Sequence, residues 1–563
     1  MRFLILFFIL TSNLNFAQSK YPQDYFRAPL DIPLVLSGTF AELRSNHFHS
    51  GLDIKTQQRE GFKIYATAEG YVSRIKVSHW GYGKALYITH PNGYTSVYAH
   101  LQKYSPKIEA YIKERQYQKE SFTIELFPDA GEIPISSDEI IAFSGNTGGS
   151  GGPHLHFEIR DSNARPMNPM LFGIEIKDTK KPSIISVFAY PENPISHVKQ
   201  SNDRVELRLI PQKNGDYSTE KIKAFGKIGF GVVTWDRQDL AANKNGVSNI
   251  QTFFNGNKNL EMDFTKFSFS ETGHINRLID YAHFRKTRSR ITKLFKESNN
   301  PLSLYKNLDN DGYVLIEDST SAVYKLRIKD FKGNETWLTI PIEGDLYNNV
   351  VPRTTDITDY YIKSDQSITL NEGNFTISIP QNTFYEDFYM DFSVKNDTLN
   401  LHEATIPVKK SFTIAYDISN YAEADKNKLF IAKLSGYKNQ YKSYSSTRKK
   451  GNTLTTKTKN LGKYILSRDT DNPSIKPINF SDGKWLSKYR YLKLRITDNT
   501  SGIRNYRATV NGKWILMEYN AKKGVLVHDF NDNVVTDTKN NLKIIVTDNV
   551  GNSSTFEAIF YRK

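Results

Sequence analysis

Apolar and polar residues alternate with a period of two along most of this chain, the spacing of a strand with one buried face. Tyr71 to Val77 (YVSRIKV), Phe375 to Ile379 (FTISI) and Phe412 to Tyr416 (FTIAY) are runs of this kind. Pro91-Asn92-Gly93 and the pairs Asn255-Gly256 and Asn511-Gly512 stand between such runs and predict antiparallel hairpins. Aromatic residues make up 13% of the chain, with 33 Tyr and 34 Phe, and they favour strands. The expected fold class is therefore mainly β. One stretch breaks the pattern. Ser105 to Ser121 opens on Ser-Pro and spaces Ile108, Ala110, Tyr111 and Tyr117 as a short amphipathic helix would.

At 563 residues the chain exceeds a single core. Residues 1–17 have Arg2, an apolar run and Ala17 at a plausible cleavage point, the layout of a signal peptide, with an uncleaved anchor as the alternative. No later run approaches the length of a membrane span, so a soluble mature chain is expected. A first domain is expected over residues 18–175, ending near Pro166-Met167-Asn168-Pro169.

Beyond it the chain repeats itself. Asp178-Thr179-x-x-Pro182-Ser183-Ile184 returns as Asp469-Thr470-x-x-Pro473-Ser474-Ile475. Asp236 with Gly246-Val247-x-Asn249 returns as Asp498 with Gly502-Ile503-x-Asn505, and each copy closes on Asp-x-x-Gly-Asn, at 330–334 and 548–552. Two versions of one β-sandwich module, resembling immunoglobulin-like modules, are expected over 180–345 and 470–563. A third β-sandwich without recognisable chemistry is expected over 355–468. The recurring Asp and Asn positions suit turns, with bound calcium as the alternative reading.

Composition narrows the chemistry. The chain has no cysteine, which excludes disulfides and thiolate metal sites, so a metal would be held by His and carboxylates. The formal charge is +15. Without a nucleic-acid motif, a basic exported protein suits an anionic envelope polymer or membrane surface, although charge also serves solubility. Arg285 to Lys296 holds six basic residues in twelve, a solvated helix face or an anionic contact.

Of 12 histidines, seven lie between His47 and His156. In Gly152-Pro153-His154-Leu155-His156-Phe157-Glu158, His154 and His156 would share one face of a strand. His49 and Asp53 lie four apart in a stretch that reads as a loop entering a strand, because Gly51 interrupts any helix. Imidazoles and a carboxylate on separate elements are what a metal-assisted hydrolase uses, although a packed His-x-His pair is the plain alternative.

His49-x-x-x-Asp53, Tyr98-Ala99-His100-Leu101 and the Gly152–Glu158 stretch, preceded by Gly145-Asn146-Thr147-Gly148, resemble the M23 family of zinc endopeptidases, of the LytM or lysostaphin type. The resemblance covers about residues 37–172. It implies an antiparallel β peptidase domain in which His49, Asp53 and His156 ligate one Zn2+. It also implies that His100 and His154 act on the water or the oxyanion, in roles the sequence leaves interchangeable. His47, His79 and His90 match no role, and surface or packing positions are expected for them.

The resemblance implies a metallopeptidase that hydrolyses peptide cross-links of peptidoglycan through a metal-activated water. Such a protein would be periplasmic, envelope-bound or secreted after signal-peptide cleavage. A non-catalytic module that activates another wall hydrolase and a zinc peptidase for non-wall proteins are the alternatives. Peptidoglycan is thus the expected partner, nucleic acid is not, and the C-terminal modules suit a further envelope or regulatory partner. Between His100 and His154 lie 53 residues, and the helical surplus at 105–121 is expected at the rim of the substrate groove.

Overall fold

The computed structural model describes residues 21–354 and 356–563, so the signal peptide expected over 1–17 lies outside the described residues. Strands dominate, as the period-two pattern predicts. The N-terminal part contains β1 (Leu36–Gly38), β2 (Leu52–Lys55), β3 (Lys63–Tyr65), β4 (Gly70–Val77), β5 (Lys84–Thr89), β6 (Thr95–Ala99) and β7 (Lys103–Tyr104). Helix α1 (Pro106–Gln118), β8 (Ile124–Leu126), β9 (Pro134–Ile135), β10 (Ile140–Phe143) and β11 (His154–Arg160) follow.

The main sheet runs β1-β2-β11-β6-β5-β4-β8, with β2 and β6 antiparallel to β11 on either side. Alternation along β4 buries Val72, Ile75 and Val77. Val72 and Ile75 are three apart, not two, because the register against β5 slips between Val72 and Arg74, and the bulge brings both onto the core face. A small sheet, β3-β10-β7, accompanies it.

The helix expected over 105–121 forms as α1. Ser105 is its N-cap residue and Pro106 fills the first turn, where a missing N–H costs nothing. Its buried face is Ile108, Ile112 and Gln116, spaced by four, with Tyr111 half-buried against the same core as expected, whereas Ala110 is exposed and Tyr117 lies off this face. Tyr117 instead meets the far end of the chain.

Residues 183–344 form a thirteen-stranded sheet joined by the 14-residue strand Ile222–Trp235. The first half of that strand pairs with His197–Val198 and Glu335–Gly344, and its second half with Ser183–Pro191. The apolar core is continuous from Phe26 to Ile342, with Phe40 and Phe48 against Phe267 at ring distances of 5.3 and 5.4 Å. The first two parts of the chain therefore bury one another's apolar faces.

Residues 360–468 form two five-stranded sheets and a short pair around a core that includes Phe375, Phe412, Tyr416 and Tyr464. Residues 474–561 form a four-stranded and a five-stranded sheet over Leu494, Leu526, Ile544 and Phe560.

The basic stretch is not one helix face. Its helix, Tyr281–Thr287, ends where Arg288 takes a left-handed φ of 66°, and Lys293 is buried beside Glu297 at 2.5 Å. Among the described residues no helix is long and apolar enough to cross a membrane.

The last part of the chain folds back onto the first. Lys84 Nζ donates to both oxygens of Glu518, at 3.1 and 3.0 Å across 434 positions. Lys113 and Tyr117 of α1 donate to Asp532. His79 stacks on Phe122 and meets Tyr519 edge-on at 5.2 Å, a packing role for this histidine.

Candidate metal centre

Register assembles the centre. In the β2–β11 pair Asp53 lies opposite His156, and on the other side His156 lies opposite Ala99, one residue before His100. The strand period sends His154, His156 and Glu158 to the same face of β11. His49 arrives from the loop before β2, as Gly51 predicted.

His49, Asp53 and His156 converge as a group able to hold a metal ion. His49 Nε2 and His156 Nδ1 stand 3.0 and 2.9 Å from Asp53 Oδ1, and 3.1 Å from each other. His154 Nε2 comes within 3.3 Å of the same oxygen. The His100 ring lies 4.8 Å from that of His154 and 5.9 Å from that of His156.

The second nitrogen of each ring is committed elsewhere, which fixes its orientation. His49 Nδ1 donates to Thr39 O at 2.7 Å, and His156 Nε2 donates to Glu158 Oε1 at 2.8 Å. His100 Nδ1 donates to Thr147 O at 2.9 Å, and His154 Nδ1 donates to Gly152 O at 2.9 Å beside Ser150 Oγ at 3.1 Å. The nitrogens of His49 and His156 that face Asp53 would offer their lone pairs to a metal once any proton there is displaced. Two imidazole nitrogens and one carboxylate oxygen are a donor set that suits zinc, for which His49, Asp53 and His156 would be the protein ligands.

Electrostatics agree with a cation site. Against burial, which lowers it, hydrogen bonds to Asp53 and Glu158 raise His156 to about 9. Asp53 is held well below the usual carboxylate range, its neighbouring imidazoles outweighing the effect of burial. His100 is lowered to about 3 by burial and by the neighbouring His156 and His154, and so stays neutral.

The loop at 145–152 is shaped by close approach. A Cβ on Gly145 would stand 2.3 Å from Gln102 N, and one on Gly148, at φ +70°, would stand 2.3 Å from Gly83 N. His100 itself holds a left-handed φ of 60°, which turns the chain beside this loop.

Several residues were not anticipated from the sequence. Fully buried Glu158 collects His156, Arg160 Nε at 2.6 Å, Ser50 Oγ at 2.7 Å and the Tyr82 hydroxyl. Arg44 Nη2 reaches Asp53 Oδ2 and Glu42 Oε2, each at 3.2 Å. The His-x-Glu spacing on β11 was the available signal for Glu158. His47 is exposed and His90 is buried against Glu69 O and Ser96, so neither joins the centre. His283, in the second Tyr-Ala-His, lies on the helix after Asp280 and has no part in it.

Residues 47–117, which include His49, Asp53 and His100, match the family described as peptidase family M23, and residues 359–469 match a Zu5-like domain. A stretch of 128 residues is 33% identical to the DD-carboxypeptidase/endopeptidase Mpg of Neisseria meningitidis serogroup B, covering 23% of either chain. Another, of 122 residues, is 33% identical to a metalloprotease of Haemophilus influenzae, covering 22% of this chain and 20% of that one. A third, of 156 residues, is 28% identical to the peptidoglycan DD-endopeptidase ShyB of Vibrio cholerae serotype O1, covering 28% of this chain and 30% of that one. The chain thus spans less than a third of the length of these relatives. The matched segment and the centre built around it place the N-terminal part of this chain in peptidase family M23.

Proposed function

We propose that the protein is an exported zinc-dependent endopeptidase that hydrolyses peptide cross-links of peptidoglycan. The convergence of His49 Nε2, Asp53 Oδ1 and His156 Nδ1 within 3.1 Å, with the other ring nitrogens committed elsewhere, carries the reading. His49, Asp53 and His156 would hold a zinc ion, which would supply Lewis-acid chemistry toward a peptide carbonyl and water. Nδ1 of both His100 and His154 is bonded to backbone, which turns Nε2 of each toward the centre, that of His154 lying 3.3 Å from Asp53 Oδ1. One of them takes the proton of the attacking water, and the other donates to the oxygen on which negative charge develops.

The substrate reading rests on the printed activities of the Neisseria and Vibrio relatives, which favour a D,D peptide bond over a glycine bridge. The charge of +15 suits an anionic wall, and the leader at residues 1–17 suits export.

The test is the zinc content of the purified protein together with release of peptide fragments from isolated sacculi. His156→Ala is expected to lose zinc, and His154→Ala to keep zinc and lose fragment release. Substoichiometric zinc without fragment release would refute the enzyme reading, and zinc retained by both variants would refute the ligand set.

A further inference from the structure

The two repeats each gather three aspartates. Asp178, Asp236 and Asp330 form one trio and Asp469, Asp498 and Asp548 the other, and in each the ligand oxygens lie within 4.8 Å of one another. The last member behaves alike in both. Asp330 accepts the backbone and side-chain amides of Asn334, as Asp548 does those of Asn552. These are turn-clasping contacts of the kind the sequence predicts.

The middle member differs. Asp498 is partly exposed and accepts from Thr500 N at 3.1 Å and Gly502 N at 2.6 Å. Asp236 is 2% exposed, and its Oδ1 meets no donor. Two residues on, Gln238 is 3% exposed, and its Oε1 also meets no donor among the described residues. Asp236 and Gln238 line, with Asp178 and Asp330, a small cavity of about 20 Å³, room for about one water-sized sphere.

A buried acceptor without a donor is costly, and like charges gathered in a low-dielectric site cost more. Burial and the charges of its two partners push Asp236 up to about 8, and burial with Asp330 pushes Asp178 up to about 6. A cation at the centre of the trio removes both penalties.

We propose that Asp178, Asp236, Asp330 and Gln238 Oε1 form a calcium site between the peptidase part and the part that follows it. An all-oxygen donor set selects a hard cation. Calcium accepts irregular sets of about six to eight oxygens at about 2.4 Å, whereas magnesium at about 2.1 Å demands a near-ideal octahedron and prefers to keep waters. Thr39 and Phe40 line the same cavity from the peptidase side. Thr39 Oγ1 accepts from Gly246 N at 3.0 Å, and Thr39 O receives His49 Nδ1 at 2.7 Å. The ion thus fastens the segment that orients His49, and the assignment is independent of any peptidase activity.

The test uses full-length protein with zinc present throughout, freed of calcium and titrated calorimetrically with CaCl2 while thermal unfolding is followed. One calcium per chain and a raised Tm are expected. Asp236→Asn should abolish both responses, and without calcium it should melt close to wild type at neutral pH, because Asp236, pushed up to about 8, is already uncharged there. A merely turn-forming Asp236 would make that variant melt lower with and without calcium, and would overturn the proposal. Gln238→Leu should weaken calcium about tenfold or more without lowering the calcium-free Tm. It gives a reading should Asp236→Asn not fold. Asp498→Asn should keep the calcium response. Equal binding of magnesium, or full calcium binding by Asp236→Asn, would overturn the assignment.

Discussion

His156 Nε2 donates to Glu158 Oε1 at 2.8 Å, two residues along the same face of β11, and this contact settles which imidazole nitrogen faces Asp53. The carboxylate is itself held by Arg160, Ser50 and Tyr82, so its position does not depend on a bound ion.

Glu158→Gln keeps the shape but removes the charge that fixes this tautomer. Zinc affinity is expected to fall about 10- to 100-fold, read by competition with a chromophoric chelator. Thermal unfolding alongside reports the disturbance of buried Arg160. Wild-type affinity in the variant would mean that Glu158 does not orient His156.

The same pair makes zinc uptake sensitive to pH. With His156 raised to about 9, the metal-free centre holds a proton at neutral pH that an entering cation must displace. Apparent zinc affinity should therefore fall about tenfold for each pH unit below about 9. An ordinary histidine would give a plateau above about pH 6.5. A flat profile between pH 7 and 8.5 would contradict the raised value.

The convergence of the candidate centre was legible in the sequence because most of its residues sit on or beside strands. His154 and His156 follow from a period of two, and Asp53 from its place at the entrance of β2. Glu158 shares that period but reads as a strand carboxylate until Arg160 and Tyr82 are seen to surround it. Thr39 and Arg44 had no signal, since a backbone carbonyl and a loop guanidinium reach the site only through tertiary folding.

The helical period at 105–121 gave α1 but misplaced part of its apolar face. Tyr117, expected on the apolar face, turns outward to Asp532. Contacts across some 400 positions, such as that one and Lys84 with Glu518, leave no periodic trace. The repeat was visible in sequence, and the differing fates of Asp236 and Asp498 were not, because they depend on which backbone amides turn toward each carboxylate.

Asp532 is 3% exposed at its side chain, and Lys113 is its cationic partner. Among the described residues, Lys113→Ala leaves the carboxylate with the Tyr117 hydroxyl as its side-chain hydrogen-bond partner. About 1–3 kcal/mol should be lost from the docking of the C-terminal part, reduced by the partial exposure of Lys113. Urea unfolding checks this, and Asp532→Asn in the same chain should recover part of the loss, as a double-mutant cycle would measure. Additive losses would show that the two residues do not interact.

The C-terminal part also reaches the centre directly. Lys522 Nζ donates to Asn146 O at 2.9 Å, to Asn146 Oδ1 at 3.2 Å and to Ser150 O. Ser150 Oγ in turn stands 3.1 Å from His154 Nδ1. A residue 372 positions away thus braces the loop that orients a histidine of the centre. Lys522→Ala should leave zinc content unchanged, because no donor to the metal group moves, and should lower the rate of sacculus digestion by about tenfold or less through a looser His154. Lys522→Arg, which keeps the charge and the reach, should recover most of that rate. A faster rate in Lys522→Ala would give the opposite meaning to the contact: the C-terminal part would then restrain access to the groove instead of stiffening its wall.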